Sequence, residues 1–235
     1  MKVVILCGGV GSRLAEETKL IPKPMVKIGN LPILNHIIKV YKHFGFKKFI
    51  LATGYKSEII ENYFKKKKNI QCIYTGKKTL TGGRLLRLKK YFKHGENFML
   101  TYGDGLTNQN LNKLVKFHLR HKKIATLTTV KPPARFGEAF LKGNRVSKFE
   151  EKSQLNSNWI NGGFFVFNYK IFGFISGDQI MLEREPFTKL TKLKQLMAYK
   201  HYGFWQCMDT MRDKSILKKM WLEKRAPWTQ LENKL

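Results

Sequence analysis

Acidic residues are scarce in this chain. Sixteen Asp and Glu stand against 45 Lys and Arg, a formal net charge of +29 over 235 residues. Such a surplus raises nucleic-acid binding as one reading, because a basic face condenses onto phosphate backbones. The cations argue otherwise: they are mostly Lys, scattered from Lys65–Lys68 to Lys89-Lys90 and Lys218-Lys219, with no base-reading motif beside them. The expectation is no nucleic-acid partner, and a solvated surface that draws in small anions.

Cysteine is nearly absent as well. Cys7, Cys72 and Cys207 lie far apart and form no CxxC pair, which excludes zinc-ligand spacing and a disulfide framework and suits a reducing cytosol. The six histidines form no metal-spaced cluster. No apolar run approaches the roughly 18–20 residues that span a bilayer. Gly8, Gly9 and Gly11 break the first apolar stretch too early for a signal peptide. The expectation is a cytoplasmic protein without a membrane partner. Also missing are the Gly-Lys-Ser/Thr of a Walker A loop and, at Leu14, the small residue that closes a dinucleotide fingerprint.

What is present begins at the N-terminus. Lys2 to Cys7 is a short apolar run that opens at once into Gly8-Gly9-Val10-Gly11-Ser12-Arg13-Leu14. A strand ending in a glycine turn presents bare backbone N–H groups, a nest that suits phosphate. Arg13 and Lys23, the latter between Pro22 and Pro24, add two cations to it.

Further on, short apolar runs alternate with helical spacings. Strands are predicted over Lys47–Thr53, Asn69–Tyr74 and Asn97–Tyr102, with helices over Ile33–Phe44, Lys56–Lys67 and Thr81 to about Phe92. Leu111–His121 reads as helix and Ile124–Val130 as strand. Lys131–Gly137 reads as an irregular loop. Arg145–Phe149 and Trp159–Phe167 read as strands of a more antiparallel region, the second interrupted by Asn161-Gly162-Gly163. Pro186–Met197 reads as helix, Ala198–Tyr202 as a short strand and Met211–Lys224 as a closing helix. This predicts one α/β domain over residues 1–235: a Rossmann-like, mixed but mostly parallel sheet flanked by helices, with a small antiparallel extension forming an acceptor pocket.

Two carboxylates stand where such a sheet gathers ligands. Asp104 lies between Gly103 and Gly105 just past a strand, and Asp209 follows a short apolar stretch and precedes a helix. Both suit a divalent cation bound to phosphates. Equally, Asp104 could shape a turn and Asp209 could cap a helix. Glu150-Glu151-Lys152 reads alone as a surface charge run.

Together, Gly8 to Leu14 and Pro22-Lys23-Pro24-Met25 resemble the signature of the sugar-phosphate nucleotidyltransferases, whose fold is GT-A-like. The resemblance extends end to end through Thr81-Gly82-Gly83-Arg84, Tyr102 to Leu106, Pro132 to Gly137, Asn161 to Phe165, Gly203 to Asp213 and Ala226-Pro227-Trp228. It lies nearest the members that move a cytidylyl group from CTP to glucose 1-phosphate with Mg2+, for surface polysaccharide synthesis. It implies that Leu6, Gly8, Gly9, Gly11 and Ser12 hold the nucleotide, that Arg13 grips the triphosphate, and that Lys23 neutralises charge at the α-phosphate. It implies further that Thr81, Gly82 and Arg84 lie near the base and that Asp104 and Asp209 ligate magnesium. Tyr102, Glu151, Lys152, Asn161 and Gly162 would meet the sugar phosphate. A homo-oligomer is expected on the same ground. The chain departs from the pattern at Ile21, where relatives often carry a basic residue, and at Lys78, where an acidic one is usual. Another base or sugar, a sugar-nucleotide binding protein and a nucleic-acid module remain as rival readings.

Overall fold

The computed structural model describes residues 1–132, 137–150 and 158–231. Seven strands form the main sheet: β1 (Lys2–Leu6), β2 (Lys48–Thr53), β3 (Ile70–Tyr74), β4 (Asn97–Tyr102), β5 (Ala125–Val130), β6 (Ile160–Asn168) and β7 (Leu196–His201). Their order across the sheet is β7-β5-β6-β4-β1-β2-β3. The pairings of β1 with β2 and β4, β2 with β3, and β5 with β7 are parallel. Strand β6 runs antiparallel to both of its neighbours. The predicted mixed, mostly parallel sheet is therefore the one observed.

Alternation along β1 builds a core on each face of the sheet. Val3 and Ile5 join the cluster beneath α1 (Ile33–His43), α2 (Ser57–Phe64), α4 (Leu111–His121) and α6 (Met211–Leu222). Val4 and Leu6 join the opposite cluster, under α3 (Thr81–Arg87) and α5 (Glu185–Lys192). Each fully buried Val or Leu contributes about 1.5–3 kcal/mol, so a central strand apolar on both faces anchors the sheet.

Successive crossovers carry the chain from β1 to β2 and β3 on one side, whereas β4 lies on the other side of β1. The carboxyl ends of β1 and β4 thus flank the point where strand order reverses, which is where open α/β sheets leave a crevice for ligands. Gly8 to Arg13 and Gly103-Asp104 both emerge there.

Two sequence expectations are corrected. The helix predicted over Pro186–Met197 ends at Lys192, and Leu196 already belongs to β7. Phe187, Leu190, Leu193 and Leu196 carry a helical spacing, but Leu196–His201 pairs in parallel with Ala125–Val130, and that non-local ladder takes the segment. The helix beginning at Thr81 stops at Arg87 and gives way to a 3-10 turn over Lys89–Tyr91. The strand at Arg145 has a partner, Glu138–Lys142, in a separate two-stranded ribbon. The interruption at Asn161-Gly162-Gly163 is a register shift in β6 against β5, with Gly163 at φ +76°. Among the described residues no helix is long and apolar enough to cross a membrane.

Candidate functional site

A cleft of about 380 Å³ opens at the crevice between β1 and β4. Its lining includes Leu6, Gly8, Gly9, Gly11, Ser12, Arg13, Lys23, Thr81, Arg84, Tyr102, Asp104 and Asp209, all chosen from sequence, together with Thr79, Leu80 and Met181.

The glycine turn is built by backbone contacts. The Cys7 N–H donates to Ala52 O at 2.9 Å and the Gly103 N–H to Leu6 O at 3.1 Å, which locks the end of β1 to both neighbours. Gly11 sits at φ +71°, and Leu14 N–H closes the turn onto Gly11 O at 3.0 Å. At Gly8 a Cβ would lie 2.0 Å from Nη1 of Arg84, so no side chain fits there.

That Arg84 is buried, 4% exposed, and its fork is spent on the protein itself. Nη1 donates to Thr75 Oγ1 at 2.9 Å, to Gly76 O at 2.7 Å and to Thr53 O at 3.2 Å, while Nη2 donates to Gly8 O at 2.8 Å. One guanidinium thereby ties the ends of β1, β2 and β3 together. Burial pulls its pKa below the ordinary arginine value. Gly82 lies outside the cleft lining, its N–H donating to Ile180 O at 2.9 Å.

Lys23 is the charged centre. Pro22 and Pro24 flank it in a 3-10 turn, and its side chain is 13% exposed. Nζ lies 2.5 Å from Asp104 Oδ2 and 2.5 Å from Asp209 Oδ1. Burial alone would lower its pKa; the charge and hydrogen bonds of Asp104 and then Asp209 outweigh that and raise it. Arg13 differs: its side chain is 75% exposed, and it pairs with Asp209 at 3.0 Å. Ile21 packs against the core, so no cation stands there.

Asp104 and Asp209 are brought together by a short ribbon in which Gly105–Thr107 pairs antiparallel with Trp205–Cys207. The Met208 N–H donates to Asp104 O at 2.9 Å. The cap of α6 belongs to Thr210, in a capping box with Asp213, so Asp209 is released from that role. Asp213 Oδ2 in turn holds the Asp209 N–H at 3.1 Å.

Tyr102, expected from sequence to meet the sugar phosphate, ends β4 and accepts a hydrogen bond from Asn161 Nδ2 at 3.2 Å. Gly162 O accepts from Trp205 Nε1 at 2.7 Å. Asn161 thus touches Tyr102 and Gly162 lies against Thr128 and Val130, and neither lines the cleft. Glu151 and Lys152 lie outside the described residues. Sequence reading missed Glu183, whose carboxylate accepts from the hydroxyls of both Thr81 and Tyr102. Its position just before the Pro186 helix start was the available signal, and it carried no chemistry by itself.

The thiols are poor nucleophiles. Burial pushes Cys207 up to about 12, with the charge of Asp209 adding to it, and burial raises Cys7 well above its ordinary value. The cations and backbone N–H groups of this cleft suit orienting and neutralising an anion such as phosphate. Two carboxylates converging on one cation suit a hard divalent ion, which commonly takes one or two carboxylates plus substrate phosphates. Among the described residues no cluster of three or more metal-holding side chains occurs.

Residues 2–216 match the nucleotidyl transferase family. The chain is 41% identical to the glucose-1-phosphate cytidylyltransferase of Salmonella typhimurium, over 99% of this chain and 100% of that one. It is 32% identical to the mannose-1-phosphate guanylyltransferase catalytic subunit beta of Drosophila melanogaster, over 94% of this chain but 62% of that one. Among solved structures, HddC from Yersinia pseudotuberculosis shares the fold with a TM-score of 0.75 at 23% identity, covering 94% of this chain and 99% of that one.

Proposed function

The chain belongs to the nucleotidyl transferase family, and we propose that it moves a cytidylyl group from CTP to α-D-glucose 1-phosphate, releasing pyrophosphate and CDP-glucose. The full-length match to a glucose-1-phosphate cytidylyltransferase supports the choice of base and sugar. The observation that carries the chemistry is Lys23 held between Asp104 and Asp209 beside a glycine nest.

The triphosphate sits over the Gly8–Arg13 backbone, its charge met by N–H groups and by Arg13 from the solvent side. An oxygen of the sugar phosphate attacks the α-phosphorus; the new P–O bond forms as the bond to the bridging β-phosphate oxygen breaks. The attacking phosphate is already anionic at neutral pH, so no general base is required. Lys23 places a fixed ammonium where charge grows on the α-phosphoryl oxygens, which is electrostatic stabilisation without reorganisation. Asp104 and Asp209 would hold Mg2+, which supplies Lewis-acid neutralisation of the phosphate oxygens when bound. Tyr102 and Asn161 orient the sugar, with Glu151 and Lys152 as further contacts. Oligomeric assembly is part of the same reading.

The test is a pyrophosphate-release screen of CTP, UTP, GTP and dTTP against several sugar 1-phosphates. Turnover confined to CTP with glucose 1-phosphate is expected. Turnover only with UTP or dTTP would overturn the cytidylyl assignment.

A further inference from the structure

Glu183 has no part in the reaction described above, yet both of its carboxylate oxygens are engaged at the cleft wall. Oε1 accepts from the Tyr102 hydroxyl, and Oε2 accepts from the Thr81 hydroxyl at 2.6 Å. A hydroxyl has a single proton to give. Thr81 Oγ1 also accepts the Leu182 N–H at 2.9 Å, and the Tyr102 oxygen also accepts from Asn161 Nδ2 at 3.2 Å. Both of these cleft-lining hydroxyls therefore have only lone-pair capacity left for a ligand.

Four of the cleft's charged groups, Arg13, Lys23, Asp104 and Asp209, lie at the end proposed for the phosphates, and the fifth, Arg84, is spent on carbonyl oxygens. The uncharged stretch of Thr79, Leu80, Thr81 and Met181 suits the base. A lone pair at Thr81 rewards a base edge that donates there and opposes one that presents a second lone pair. Cytosine offers an exocyclic amino group where uracil offers a carbonyl.

We propose that Glu183 is the residue that sets base selectivity. By taking the protons of Thr81 and Tyr102, it fixes Thr81 as an acceptor for an amino-bearing base and Tyr102 as an acceptor for a sugar hydroxyl. The carboxylate acts through these two hydroxyls and does not itself touch the reacting atoms. This rests on the cytidylyl reading and deepens it.

The experiment compares wild type, Glu183→Gln, Thr81→Val and the double variant. It measures kcat/KM for CTP and for UTP with glucose 1-phosphate, and dissociation constants of the two nucleotides by competition. An amide at position 183 donates from one of its two ends, so a hydroxyl proton turns toward the ligand. The CTP-to-UTP ratio is expected to fall by about 10-fold or more in each single variant, the scale on which an unpaired or mispaired polar group at a specificity site is felt. The double variant is expected to fall no further, because both changes break one relay. A purely structural tie between α3 and the Leu182 segment would lower both nucleotides alike and leave the ratio unchanged, which overturns the proposal. Thr81→Val probes the relay from its other end, so the answer does not depend on one variant folding. Wild type that neither binds nor turns over CTP in preference to UTP defeats the cytidylyl reading, and the role of Glu183 with it. Wild type that prefers CTP, with Glu183→Gln retaining that preference, defeats the role of Glu183 alone.

Discussion

The two halves of the sheet hold their parts of the site by different means. On the nucleotide side, β1, β2, β3 and β4 run parallel, and what faces the cleft is fixed by backbone: strand ends, a glycine turn, and an arginine whose fork closes on carbonyl oxygens. On the acceptor side, β6 runs antiparallel between β4 and β5, and the site is held by a relay of side chains from Asn161 through Tyr102 and Glu183 to Thr81. A backbone-built region tolerates little sequence change at its glycines but needs few specific side chains. A side-chain relay can be retuned one hydroxyl at a time. In the proposed reaction the phosphate chemistry uses the first region, and the choice of base and sugar leans on the second.

The largest expected effect sharpens the nucleotide side. Lys23→Ala removes a fixed cation from the phosphate-binding centre and is expected to lower kcat by about 10²–10³, the scale of losing one preorganised charge-stabilising group. Circular dichroism should show the fold retained. Arg13→Ala, which removes a solvent-exposed cation, should cost much less. Equal losses in the two variants would erase the distinction drawn between the buried and the exposed cation.

Next in size is Arg84→Ala. It leaves Gly76 O without its donor, whereas Gly8 O keeps the Tyr55 N–H and Thr53 O keeps the Thr75 N–H and hydroxyl. One orphaned buried carbonyl costs about 1–3 kcal/mol and the charge-assisted hydrogen bonds to Thr75, Gly8 and Thr53 are lost besides, so a loss on the order of 3–5 kcal/mol is expected in denaturant unfolding. Arg84→Lys cannot restore a fork that spans several carbonyls and should recover little of it. A variant as stable as wild type would break the claim that this half is clamped through backbone.

The smallest effect lies on the acceptor side. His118 on α4 is buried against Thr126 of β5, Nδ1 to Oγ1 at 2.9 Å, with His121 on the same hydroxyl at 2.7 Å. Burial first, and then the neighbouring His121, push His118 down to about 4 from 6.5. Between those values the unfolded chain binds more protons than the folded one, so stability is full above 6.5 and is lost as pH falls toward 4. The loss should be on the order of 2 kcal/mol. Thermal melts across that window should show the slope, and His118→Gln should flatten it. A slope unchanged by the substitution would remove the packed imidazole as its cause.

Much of the phosphate end was legible because its signals are local. A buried strand ending in Gly8-Gly9-Val10-Gly11, a lysine fixed by Pro22 and Pro24, and a carboxylate in Gly103-Asp104-Gly105 each announce their geometry within a few residues. The role of Arg84 was not legible. The resemblance implied a place beside the base, and the guanidinium does line the cleft, but its hydrogen bonds run to carbonyls 8 to 76 residues away in sequence. Glu183 was missed for the same reason: its partners lie 102 and 81 residues upstream. The helix over Pro186–Met197 was overextended because periodicity cannot see the strand that waits to pair with Leu196–His201.

By itself the sequence determined the alternation of strands and helices, the glycine nest and the set of charges that could serve phosphate, because each follows from residue type and short-range spacing. Tertiary structure alone decided that Asp104 and Asp209 converge on Lys23. A three-residue ribbon, Gly105–Thr107 against Trp205–Cys207, sets that meeting, and antiparallel register between segments about a hundred residues apart is fixed by what packs against them, not by anything written nearby.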